Sequence, residues 1–132
     1  MKKILAALAV VTLTGCSSLS GLVEMIPSFW DDNQSAAIVT IAQSVRNINC
    51  KESHAPQIFP IKQQIEWFVI YSEAKGARQN DVIELVAPMQ KTVDDFFKRS
   101  VEKQGSESYC ESKKRILTAQ STKAAEAVLY RF

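Results

Sequence analysis

Four segments of this chain carry apolar residues at spacings of three and four, and none alternates apolar with polar over a strand's length. That periodicity confines the buried positions to one face of an α-helix. The first stripe is Ile38, Ile41, Val45 and Ile48, flanked by Ala37 and Ala42. The second is Ile61, Ile65, Phe68 and Tyr71 or Ser72, widened by Trp67, Val69 and Ile70. So wide an apolar arc predicts the most buried helix of the set. The third runs through Val82, Leu85, Val86, Met89, Val93, Phe96, Phe97 and Val101, with one of the adjacent phenylalanines expected inside and the other at the boundary. The fourth is Leu117, Ser121, Ala124, Val128 and Phe132, beside Ile116 and Ala127, and its small residues predict close packing on a neighbour. Four stripes with short connections predict an all-α, up-down-up-down four-helix bundle.

The punctuation between stripes places the helix ends. Ser28 is the expected N-cap of the first helix, with Asp31 and Asp32 favourable in its first turn. This helix is expected to stop near Asn49 and Cys50, and residues 51–59, with Pro56 among them, read as the longest irregular stretch. Pro60 suits the first turn of the second helix and Gly76 its end. Asp81 with Glu84 forms a capping pair for the third helix, which Gly105 terminates and Pro88 is expected to kink. Ser108 with Glu111 reads as the capping box of the fourth.

Ahead of these stripes, Lys2 and Lys3 precede an apolar run over residues 4–13. A membrane-spanning helix needs roughly 20 apolar residues, so this shorter run reads as an export signal. It closes on Leu13-Thr14-Gly15-Cys16, which resembles the lipobox of bacterial lipoproteins. The resemblance implies cleavage between Gly15 and Cys16, a diacylglycerol thioether on Cys16 and acylation of the new amine. Residues 1–15 are then a signal peptide, 16–27 the lipidated cysteine and a short tether, and 28–132 the helical domain. Several acyl chains make a stable anchor where one gives only marginal binding. By the sorting pattern of such lipoproteins, Ser17 after the cysteine implies the outer membrane of a Gram-negative cell, with the domain facing the periplasm. Fully extended, the tether reaches about 35–40 Å, which keeps the domain close to its membrane. Its apolar Leu22, Val23, Met25 and Ile26 lie either against lipid or back on the domain, and the second is expected.

Cleavage changes the charge balance. The whole chain has 16 Lys and Arg against 14 Asp and Glu, and loss of Lys2 and Lys3 leaves 14 of each, with no basic surplus to attract nucleic acid. Once Cys16 carries lipid, Cys50 and Cys110 are the remaining cysteines, and the periplasm is oxidising. One disulfide between them is therefore expected. The bundle topology agrees, because the first helix ends at the pole where the fourth begins.

Residues able to carry chemistry are sparse. The one histidine, His54, sits in the irregular stretch beside Ser53 and reads as a solvent-exposed loop residue. Asp31-Asp32 and Asp94-Asp95 are adjacent pairs that point to different helix faces, and both read as solvated surface. Lys113-Lys114-Arg115 reads as a solvated helix face, and Trp30 as a staple of the helix start onto the core. The four glycines are scattered, so there is no phosphate-cradling loop. No catalytic residue, metal ligand or cofactor is expected. The expected role is non-catalytic: an interaction or accessory protein held at the envelope by its lipid, with another envelope protein as partner. The alternative is a small apolar ligand bound between helices, in a cavity opened at Pro88. Residues 26–34 (Ile-Pro-Ser-Phe-Trp-Asp-Asp-Asn-Gln) and 71–76 (Tyr-Ser-Glu-Ala-Lys-Gly) resemble small lipoproteins of tailed phages. That likeness implies the outer-membrane partner of a lysis pair, or superinfection exclusion.

Overall fold

The computed structural model describes residues 30–130. The expected signal peptide, Cys16, the expected tether and the expected cap Ser28 lie outside the described residues, as does Phe132. Among the described residues four helices follow in order: α1 (Asp32–Arg46), α2 (Ala55–Ala74), α3 (Asn80–Glu102) and α4 (Glu107–Leu129), with a 3-10 turn over Ala77–Gln79 before α3. Each helix packs on two others, α1 on α2 and α4, α3 on α2 and α4, and the diagonal pairs do not meet. This is the four-helix ring that the periodicity predicts.

The stripes are the core, except that Val101, at the end of the third, is 62% exposed because it lies on the last turn of its helix, beyond the packed middle. Ile38, Ile41 and Val45 of α1, Ile58, Ile65 and Phe68 of α2, Val82, Val86, Val93 and Phe96 of α3, and Leu117 of α4 are all fully buried. Phe96 lies inside while Phe97 packs at the boundary, as expected. Each such aliphatic or aromatic side chain contributes about 1.5–3 kcal/mol by leaving water. Cys50 and Cys110 form a disulfide, with Cα atoms 5.5 Å apart. It ties the end of α1 to the first turn of α4, across a loop that holds all of α2 and α3.

Several helix starts differ from expectation for one shared reason: packing and backbone geometry choose among several short polar residues. Asp31 caps α1, its carboxylate accepting from the Gln34 amide at 2.8 Å. Ser106, not Ser108, caps α4, accepting from Tyr109 N at 3.1 Å. At α3 the 3-10 turn brings the chain in already coiled, so Asp81 lies within the first turn and accepts from the amide of Val82. The α2 helix begins at Ala55, with Pro56 in its first turn, so Pro60 sits one turn inside. Lacking an N–H, Pro60 leaves the Pro56 carbonyl without its intrahelical donor.

That early start overturns the reading of His54 as an exposed loop residue. His54 is 1% exposed. Its ring lies edge-on to Phe96 at 5.9 Å between centroids, and Nε2 is 3.0 Å from the Cys50 carbonyl. A carbonyl only accepts, so Nε2 is the donor in this bond, and Nδ1 is buried without a hydrogen-bond partner. At the opposite pole, Gln34 Nε2 donates to Ser72 Oγ at 2.9 Å and Gln79 Oε1 at 2.8 Å, a buried polar tie between α1, α2 and the 3-10 turn. Gly76, at φ 95°, turns the chain out of α2 in a conformation that favours glycine. Pro88 is exposed within an α3 that runs on through it, and the neighbouring Val86 and Met89 are buried.

Candidate functional site

Helix α2 is apolar on two faces. Inward it presents Ile58, Ile61, Ile65, Phe68 and Ser72 to the core. Outward it presents Phe59, Gln63, Trp67, Ile70 and Ala74, all exposed and spaced four, four, three and four residues apart. Phe59 is 45%, Trp67 49% and Ile70 64% exposed. The wide arc of this helix thus signals a second apolar surface, where the sequence had suggested deeper burial. A four-helix ring encloses only one face of each member, so residues on the far side of α2 stay outside.

The aromatic members of this face are held in place. Trp67 stacks on Tyr71 with ring centroids 4.9 Å apart and planes 11° from parallel. The Tyr71 hydroxyl accepts from Asn33 Nδ2 at 2.9 Å and donates to Asp31 Oδ2 at 3.2 Å. Phe59 packs on Phe97 of α3 at 5.5 Å. Between α1 and α2 lies a groove of about 420 Å³ lined by Ala37, Thr40, Pro60, Gln63, Gln64 and Trp67. No charged side chain lines it, and the Gln64 carbonyl oxygen within it is buried without a donor. On the other flank of α2, Lys62 pairs with Glu66 and lies 3.5 Å from Asp94 of α3. The hydrogen bond to Glu66 is the main reason the Lys62 ammonium is held above its ordinary value, with the nearby Asp94 and Glu66 charges adding to it against the cost of burial.

Residues 30–34 and 71–76 meet at the pole where α1 begins. Asp31 forms an ion pair with Lys75 as well as its bond to Tyr71, and Gln34 reaches Ser72. Burial pushes the Asp31 carboxyl up. Hydrogen bonds from Lys75, the Gln34 amide and Tyr71, together with the Lys75 charge, outweigh it and hold the carboxyl below its ordinary value. Asp31 is therefore a structural tie, not the solvated surface group expected. Trp30 departs from expectation too: it is 45% exposed, and its indole donates to Asp32 Oδ1 at 2.6 Å instead of entering the core.

The other sequence candidates do not converge. His54 points its ring at the Cys50 carbonyl and away from any pairing with Ser53, which is exposed. Asp94 faces α2 while Asp95 is exposed. In the basic run, Lys114 donates to the Ile48 carbonyl at 2.7 Å, closing the end of α1, and Lys113 lies over the Tyr109 ring at 5.7 Å. Among the described residues no three His, Cys, Asp or Glu side chains gather as metal ligands, and no helix is long and apolar enough to cross a membrane. The outer stripe of α2 was missed in the sequence because Trp67 and Ile70 were assigned to the core. Spacing at 59, 63, 67, 70 and 74 was the signal that could have separated the two faces. No protein-family model, curated protein or solved structure matches this chain.

Proposed function

We propose that this chain is a lipid-anchored protein of the outer membrane, its helical domain facing the periplasm, which acts without catalysis by binding another envelope protein. The single observation that carries the binding part is the exposed Phe59, Trp67 and Ile70 on one helix face. An outward helix face in a free-standing bundle is ordinarily polar, and one that exposes several large apolar side chains together marks an interaction surface. The Leu13-Thr14-Gly15-Cys16 motif supports the anchor, and the Cys50–Cys110 disulfide suits an oxidising compartment. The likeness of residues 26–34 and 71–76 to phage lipoproteins extends the proposal to one of two roles, a lysis-pair partner or a superinfection-exclusion factor.

Labelling cells with radioactive palmitate tests the anchor. The wild-type chain is expected to take up label and fractionate with outer membrane, and Cys16→Ala to do neither; equal labelling of the two sinks the lipoprotein reading. A photocrosslinking residue at position 70, used in intact cells, tests the binding face. It is expected to capture one dominant envelope protein, whereas the same residue at Lys123 on α4 captures none. Indistinguishable capture from both positions sinks the role of α2.

A further inference from the structure

Pro60, Gln63, Trp67, Ile70 and Ala74 lie on the outer side of α2 at spacings of three, four, three and four. That is the a/d pattern of a coiled-coil seam, in which each residue inserts between four side chains of a facing helix. We propose that this seam receives one amphipathic helix of the partner, whose apolar stripe is flanked by Lys or Arg. The inference rests on the protein-binding reading above and names the partner's chemistry.

Three observations carry it. The first is the spacing, which suits a helix and not an extended peptide, since the backbone of α2 is engaged in its own hydrogen bonds and offers no strand edge. The second is relief. The groove beside Trp67 and Pro60, about 420 Å³ with Ala37 and Thr40 on its α1 wall, has room for a large side chain from the facing helix. The third is charge. On one flank of the seam stand Glu66 and Glu73 of α2 and Asp94 of α3, with Lys62 paired to Glu66 and 3.5 Å from Asp94. The opposite flank, Gln64 and Tyr71 with Asn33, Ala37 and Thr40 behind them, carries no charge, and the Asp31–Lys75 pair at its end is neutral. Such a seam favours basic flanks on its partner and opposes a second copy of itself. In an antiparallel α2 pair Glu66 and Glu73 would face one another, and like charges in flanking positions select against that pairing.

The test uses the disulfide-bonded chain with Cys16→Ser for solubility and Trp30→Phe, so that Trp67 is the only tryptophan. The probes are two synthetic 21-residue helices with Leu at every a and d position, one with Lys and the other with Glu at e and g. Titration at low salt, followed by Trp67 fluorescence, is expected to show the Lys-flanked helix binding at least about tenfold more tightly. Ile70→Asp, at an exposed position that leaves the core intact, is expected to abolish binding with an unchanged circular dichroism spectrum. Glu66→Lys with Glu73→Lys is expected to reverse the preference. Equal affinity for both helices, no binding of either, survival of binding in Ile70→Asp, or sedimentation of the free chain as an α2-mediated dimer would each overturn the proposal. The palmitate and crosslinking experiments do not depend on these peptides, so a failed titration with crosslinking intact removes the helical partner and leaves the binding face.

Discussion

Replacing Cys50 and Cys110 together by Ala is expected to cost this domain a large part of its stability. The bridge joins residues 60 apart in sequence, and that loop contains α2 and α3 complete. The chain-entropy relation for a loop of this length gives about 4 kcal/mol. Whole domains have only about 5–15 kcal/mol in hand, so the loss is a substantial fraction of the total. The site is well chosen in physical terms: α1 and α4 are neighbours in space but most distant in sequence, so their contact restricts the unfolded chain most. Urea unfolding followed by circular dichroism at 222 nm reads the effect. With a slope near 2 kcal/mol per M, the midpoint is expected to fall by about 2 M. Single replacement of Cys110 by Ser is expected to be worse still. Cys110 is fully buried, and a hydroxyl stranded there adds about 1–3 kcal/mol. Coincident midpoints for wild type and the double Ala variant would refute the reasoning. They would mean that closing this loop does not restrict the unfolded chain as the entropy relation requires.

Three further outcomes follow from the fold. Phe68→Ala, at a fully buried site in the middle of α2, is expected to cost about 3–5 kcal/mol in the same urea titration. Gly76→Ala is expected to cost about 1–3 kcal/mol from backbone strain alone, because φ 95° with ψ −174° is a conformation that essentially only glycine adopts and an added Cβ meets no atom within 4 Å. Asp31 sets a pH dependence whose sign follows from its depressed carboxyl. Its contribution is full above the ordinary carboxylate range and is lost as pH falls through the lower folded value. Urea midpoints measured from pH 5 down to pH 2 are therefore expected to fall less steeply in Asp31→Asn than in the wild type, and parallel profiles would count against the Lys75 and Tyr71 ties.

The inward faces of α1 and α3 were legible because an exposed helix face is polar and a buried one is not. Ile38, Ile41 and Val45, and equally Val82, Val86 and Val93, could be assigned from spacing alone. Helix α2 could not be read this way. Its apolar residues cover more than one face, and spacing does not say which of two apolar faces the other helices cover. Trp67 and Ile70 were accordingly placed inside and are outside. Histidine 54 was misplaced for a related reason: an irregular-looking segment with Pro56 and Pro60 gave no sign that the helix begins at Ala55 and draws the preceding ring under the disulfide. The observed caps lie two or three positions from the expected ones, since Ser106 and Ser108, or Ser28 and Asp31, can each offer an oxygen to a free amide.

By itself the sequence determined the number of helices among the described residues, most members of three core stripes and the pairing of Cys50 with Cys110, because all of these rest on period and on elimination along one chain. Tertiary structure alone decided which side of α2 stays exposed, that His54 is buried, and that residues 30–34 and 71–76 join at one pole. Those outcomes depend on which surfaces the ring of four helices covers, a property of the assembled packing that no single segment carries.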